Sequence, residues 1–190
     1  MFINWNQKEL YIKLVYYGPP LSGKTTNLEQ IHQRIPQPKR SDLVSVKTRE
    51  ERTLFFDFMQ VELNEINGLQ PKFKLYTVPG QVYYAATRKL ILKDVDGLVF
   101  VADSSIQRLA ANKQSMLDMW KHLKELGRED DNIPVILQCN KRDLSDAVPV
   151  HLLSRFLSVP ESNTVEATAV NGEGTAETLK RIIGQVIKKI

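Results

Sequence analysis

A chain of 190 residues, 42% hydrophobic and 25% charged, has enough apolar surface to build one ordinary globular domain without disulfide staples. Nine glycines and nine prolines with no biased run exclude collagen-like and low-complexity classes, and the longest apolar runs, such as Gly97 to Ala102, fall far short of the roughly 20 residues that a membrane helix needs. The net charge of +4 comes without a long block of like charges or aromatics interleaved with basic residues, so no nucleic-acid partner is expected.

The opening Met1-Phe2-Ile3-Asn4-Trp5 has neither the cationic start nor the apolar run of a secretory signal. Phe2 stands where myristoylation requires glycine, and Ile187 to Ile190 offer no cysteine for prenylation. The single Cys139 cannot form an internal disulfide. A cytoplasmic protein without a direct membrane anchor is expected, any recruitment to a membrane going through a partner.

The first strand is predicted at 11–17, and directly after it Gly18-Pro19-Pro20-Leu21-Ser22-Gly23-Lys24-Thr25 fits G-x-x-x-x-G-K-[ST] at every fixed position, opening a helix over 24–34. Strand, loop and helix in that order form a phosphate cradle. Backbone N–H groups and a helix N-terminus converge on a polyphosphate, Lys24 reaches its outer phosphates, and the Thr25 hydroxyl suits Mg²⁺. Gly18 and Gly23 permit the tight turn, and the donors are expected from Leu21 through Thr26, so that Pro20, which has no N–H, costs binding little.

The stretch 35–53 is polar and lacks a clean period, a length of connection that is usually functional. Strands at 54–63 and 72–78 follow, separated by eight residues containing Asn67-Gly68, too few for a crossover helix, so they form an antiparallel hairpin. In the first of these, Leu54, Phe56 and Phe58 share one face and Phe55 and Asp57 the other. A two-residue slip keeps that pattern, whereas a one-residue slip inverts it.

Helical patterns at 83–93, 108–127, 149–157 and 174–189 alternate with strands at 97–103, 133–139 and 163–167. The result is a single α/β domain over 1–190 with a mostly parallel six-stranded sheet, one antiparallel hairpin strand, and helices on both faces. Leu109, Met116, Met119, Leu123 and Leu126, like Trp5 and Trp120, are read as packing residues. His32, His122 and His151 are scattered and suggest no metal cluster.

The base is chosen at Asn140-Lys141-Arg142-Asp143, immediately after the apolar strand Val135 to Cys139. A carboxylate at Asp143 can accept from the ring N–H and exocyclic amine of guanine together, an edge adenine does not present. Asn140 and Lys141 are expected to tie this loop to the phosphate loop, the lysine stem lying against base and ribose.

These two motifs, with Glu166-Ala167-Thr168-Ala169 after the sixth strand, resemble a Ras-superfamily small GTPase across nearly the whole chain. Instead of Asp-x-x-Gly the chain has Thr77-Val78-Pro79-Gly80 followed by Gln81. Together with Tyr16-Tyr17-Gly18-Pro19, Leu21 to Leu28, Glu51 to Phe58 and Leu75 to Val82, that departure is similar to the prokaryotic MglA family of small GTPases.

The resemblance implies a three-layer P-loop fold and a switch that binds GTP or GDP with Mg²⁺ and hydrolyses GTP slowly unless helped. In such proteins Gly80 contacts the γ-phosphate, Gln81 orients the attacking water, Thr53 reaches Mg²⁺ and the γ-phosphate, and the Thr168-Ala169 turn offers an N–H to the guanine carbonyl. Arg52 resembles an arginine finger supplied in cis. The implied partners are a homodimeric roadblock-type activating protein of the MglB kind and effectors that recognise the GTP state, in polarity or motility control. A near-inactive GTP/GDP-binding recruitment module is the alternative.

Overall fold

The computed structural model describes residues 1–47, 53–128 and 132–189. In chain order its strands are β1 (Phe2–Asn4), β2 (Glu9–Tyr17), β3 (Val44–Lys47), β4 (Thr53–Glu62), β5 (Gln70–Thr77), β6 (Gly97–Asp103), β7 (Val135–Asn140) and β8 (Thr164–Glu166). The helices are α1 (Lys24–Arg34), α2 (Ala85–Leu92), α3 (Leu109–Glu125), α4 (Val150–Leu157) and α5 (Thr175–Ile187).

One sheet runs in the order β3-β4-β5-β2-β6-β7-β8. From β5 to β8 every neighbouring pair is parallel, while β4 runs antiparallel to β5 with Phe58 opposite Tyr76 and Glu62 opposite Lys72. The hairpin expected from Asn67-Gly68 is present. Both residues have positive φ, 51° and 80°, as a two-residue hairpin turn of the primed type requires.

Among the described residues the sheet has two strands beyond the six expected from sequence. β1 pairs antiparallel with the first half of β2, and β3 pairs antiparallel with β4, Ser45 opposite Asp57. Elements of three and four residues are too short to display a period of two, and β3 lies inside the polar stretch read as a connection.

Helices cover both faces and divide the core in two. On one side α1 and α5 pack Leu28, Ile31, Leu179, Ile182 and Val186 onto Ile12, Leu14, Met59 and Val61. On the other, α2, α3 and α4 pack Leu92, Met116, Met119, Leu123, Leu153 and Leu157 onto Val15, Leu98, Phe100 and Leu137. Central β6 is buried along its whole length, as expected of a parallel strand covered on both faces. Met116, Met119 and Leu123 pack as expected, but Trp5 and Trp120 do not. They are 73% and 43% exposed, because β1 lies at the sheet margin and Trp120 faces away from the buried stripe of α3. Cys139 is fully buried, and burial pushes its thiol up to about 12.

Candidate nucleotide-binding site

The parallel strands β2, β6, β7 and β8 end side by side, and the motif loops leave from those ends, the usual place for a site in an α/β sheet. From β2 the chain turns through Gly18 to Gly23 and enters α1 at Lys24. Gly23 has φ of 102°, and a Cβ there would run into the Asn140 amide, so this corner requires glycine. Leu21, also at positive φ (64°), turns its side chain out to 82% exposure, while Ser22 is buried with an unpartnered hydroxyl.

Lys24 lies back over the loop, its Nζ donating to the Gly18 and Pro19 carbonyls at 3.0 and 2.7 Å. Burial pushes its ammonium down to about 7, the Asp57 carboxylate opposing and Arg88 reinforcing the shift. A cation so poorly solvated gains more from a phosphate chain than an exposed lysine does.

Asp57 is a candidate site residue that the motifs missed. Fully buried on β4, its Oδ2 accepts from the hydroxyls of Thr25 at 2.6 Å and Thr77 at 2.8 Å, and its Oδ1 accepts from Ser45 at 2.6 Å. The Thr77 hydroxyl in turn accepts from the Asp57 backbone N–H at 2.8 Å. β5 carries Thr77 at this point, and the neighbouring strand places a carboxylate beside it. Its sequence signal is a charge set between Phe56 and Phe58 on a strand whose core side is otherwise apolar. A buried carboxylate touching the Thr25 hydroxyl is a hard oxygen donor set of the kind that fits Mg²⁺.

At the other end of the site, Asn140 joins two loops. Its Nδ2 donates to the Ser22 carbonyl at 2.7 Å, and its Oδ1 accepts from the Ala169 N–H at 2.8 Å. The N–H of the turn that includes Thr168 is therefore engaged with Asn140. Lys141, at φ of 65°, reaches Asp103 Oδ2 at 2.8 Å. Asp103, buried at the end of β6, is a second residue the motifs did not reveal. It also lies 3.7 Å from Arg108, whose guanidinium donates to the Pro20 carbonyl at 2.8 Å. Asp143 is exposed on the turn beyond, a turn fixed by Arg142, which donates to the Val148 carbonyl at 2.6 Å and pairs with Glu166 at 3.2 Å.

Gly80 is packed directly on the phosphate loop, and a Cβ on it would collide with the Pro20 backbone. Gln81 is half-buried, its carbonyl held by Arg88 at 2.5 Å. Arg52 lies outside the described residues, as does the side chain of Thr53, whose backbone pairs with Lys47. Among the described residues no group of three His, Cys, Asp or Glu forms a metal cluster, and no helix is long and apolar enough to cross a membrane.

Residues 1–186 match the ADP-ribosylation factor family. The mutual gliding-motility protein MglA of Myxococcus xanthus is 46% identical over 189 residues, covering 100% of this chain and 97% of its own. Human ADP-ribosylation factor-like protein 4A is 24% identical over 93% of the chain and 84% of its own, and rat Ras-related protein Rab-27B is 25% identical over 94% and 82%. The mostly parallel sheet with helices on both faces is a P-loop GTPase fold, and the chain belongs to the ADP-ribosylation factor family as an MglA-like small GTPase.

Proposed function

We propose that the protein is a guanine-nucleotide switch that hydrolyses GTP to GDP and presents a partner surface in the GTP state. The observation that carries this reading is the joining of a complete phosphate loop to a base-reading loop through Asn140. Backbone N–H groups from Leu21 through Thr26 hold the phosphates, with Lys24 against the outer ones. Asp143 reads guanine, Lys141 lies against base and ribose, and the Thr168-Ala169 turn supports them.

Thr25 and Thr53 would hold Mg²⁺, with Asp57 fixing the Thr25 hydroxyl. The ion would neutralise charge developing between the β- and γ-phosphates. Hydrolysis needs a water placed in line with the bond from the γ-phosphorus to the bridging oxygen. Gln81 orients that water and Arg52 meets the charge on the transferred group, while Gly80 contacts the γ-phosphate.

A homodimeric roadblock-type activator of the MglB kind is the expected partner, acting by positioning Arg52 and Gln81, and GTP-state effectors complete the cycle. We assign it a cytoplasmic role in polarity or motility control, a reading supported on the motility side by the name of the gliding-motility relative in Myxococcus xanthus. The packing of Gly80 onto Pro20 favours a second reading, a nearly inactive recruitment module, because it crowds the ground that Gln81 must cross.

Single-turnover GTP hydrolysis, alone and with the roadblock dimer, separates the two. Slow cleavage accelerated by the dimer supports the switch. Tight GTP binding with no cleavage in either condition establishes the module instead.

A further inference from the structure

Two residues below Asn140 on the same face of β7, Gln138 is fully buried beneath α1 and α5. It faces Asn27 of α1, also fully buried, and the two amides exchange hydrogen bonds. Asn27 Nδ2 donates to Gln138 Oε1 at 2.7 Å, and Gln138 Nε2 donates to Asn27 Oδ1 at 2.8 Å.

The remaining amide hydrogens are also placed. Asn27 donates to the Gly23 carbonyl at 2.9 Å, and Gln138 donates to the Thr178 hydroxyl at 2.8 Å, which donates on to the Gly174 carbonyl at 2.7 Å. A continuous chain therefore runs from the last glycine of the phosphate loop, across β7, to the residue that opens α5.

The surroundings are apolar: Leu28, Ile31, Val101, Ile136, Leu179 and Ile182 form the cluster on this face. Two hydrocarbon side chains would fill the same space without desolvating two amides. What amides add is direction, because a fully satisfied buried network admits one arrangement and penalises others. The ends of the chain identify the use of that direction. Gly23 precedes Lys24, and Gly174 follows the turn in which Thr168 and Glu173 pair by reciprocal backbone bonds at 3.2 Å. That turn carries Ala169, the partner of Asn140.

Building on the guanine-nucleotide reading, we propose that Asn27 and Gln138 are positioning residues, a lower strut parallel to the Ser22–Asn140–Ala169 link. Together the two struts hold the phosphate-binding and base-binding loops at one fixed spacing. A nucleotide bound at both ends requires both loops in register, so the lower strut sets how slowly nucleotide leaves. GTP and GDP share the base and the inner phosphates, so the effect is equal for both.

The test uses Asn27→Leu, Gln138→Met and the double variant, with release of fluorescent GDP and GTP and thermal melting measured on each. Either single variant strands a buried amide and lowers the melting temperature, whereas the double variant removes both partners and recovers most of it. The double variant is nonetheless expected to release both nucleotides roughly tenfold faster than the parent. This readout is one that packing alone does not move. Thr178→Val, which removes the outer bond and keeps the shape, is expected to give a smaller acceleration of the same sign and covers the case in which the double variant fails to fold.

Parent-like release from a double variant of recovered stability, or from Thr178→Val, overturns the strut. Failure of the parent to bind GDP would instead overturn the guanine-nucleotide reading on which it rests.

Discussion

The two halves of the site are built differently. On the proposed reading, the half that faces what GTP and GDP have in common is tied by side-chain hydrogen bonds between distant elements: Asn140 to Ser22 and Ala169, Asn27 to Gln138, Lys141 to Asp103. In the half proposed to face the γ-phosphate, Asp57 gathers Thr25, Thr77 and Ser45, and Gly80 rests on Pro20 through backbone contact. Bonds of the first kind hold a loop in one place, whereas a single hub lets its neighbours regroup together when its charge is met differently. A switch needs both, a constant grip on the nucleotide and a responsive contact with its last phosphate.

The largest expected effect breaks the constant half. Ligand at a thousandfold excess over its dissociation constant stabilises the folded state by roughly 4 kcal/mol. Thermal melting of the parent is expected to rise accordingly with GTP or GDP and not with ATP. Lys24→Ala and Asp143→Ala are expected to abolish the rise, and an ATP shift equal to that of GTP would refute the guanine assignment.

The next is confined to the responsive half. An arginine finger contributes on the order of 10³ to 10⁵ in rate, so Arg52→Ala and Gln81→Leu are expected to lower the partner-stimulated cleavage rate at least roughly a hundredfold. GTP affinity changes little, since both groups act in the transition state. Cleavage by Arg52→Ala at the parent's rate would place the finger elsewhere.

Asp57→Asn probes the hub with its shape kept. We expect the Mg²⁺ concentration for half-maximal GTP retention to rise by roughly tenfold, the scale of losing one group that orients a metal ligand, while GDP binding in chelator is unchanged. An unaltered Mg²⁺ dependence would show that the carboxylate serves the fold alone.

The smallest effect is a proton count. Burial pushes the Lys24 ammonium down to about 7 in the folded chain against 10.5 ordinarily, so between those values the unfolded chain holds a proton that the folded one lacks. The lysine's contribution thus makes nucleotide-free stability rise with pH across that window and level off below it. Phosphates restore the charge, so GDP binding near pH 8.5 is expected to take up close to one proton, measurable by calorimetry in buffers of different ionisation enthalpy. Lys24→Arg, which stays charged, is expected to take up none.

The same division governs what the sequence displayed. The phosphate loop, the Asn140 to Asp143 segment and the hairpin turn are local signatures, because backbone approach to a phosphate, a base edge or a tight turn each demands fixed residue types at fixed spacing. Asp57, Asp103, Asn27 and Gln138 have partners 32, 38 and 111 positions away. Strand register brings those partners together, and no spacing rule announces it. Asp57 came nearest to being legible, since the alternation placed it opposite Phe56 and Phe58, where a charge needs a partner. Trp120 misled for the opposite reason, as hydrophobicity marks residues that can be buried and not those that are.

The burial of Cys139 makes this comparison measurable. A thiol with no exposure, pushed up to about 12, holds almost no thiolate at neutral pH and is closed to alkylating reagents. Because it is the one cysteine in the chain, the native protein is silent toward maleimide dyes. A cysteine introduced at Tyr83, which is 93% exposed beside the responsive half, or at Val170, 66% exposed beside the constant half, would carry the label alone. The two halves can then be watched one at a time through a cycle of GTP binding and cleavage, with no background thiol to remove first.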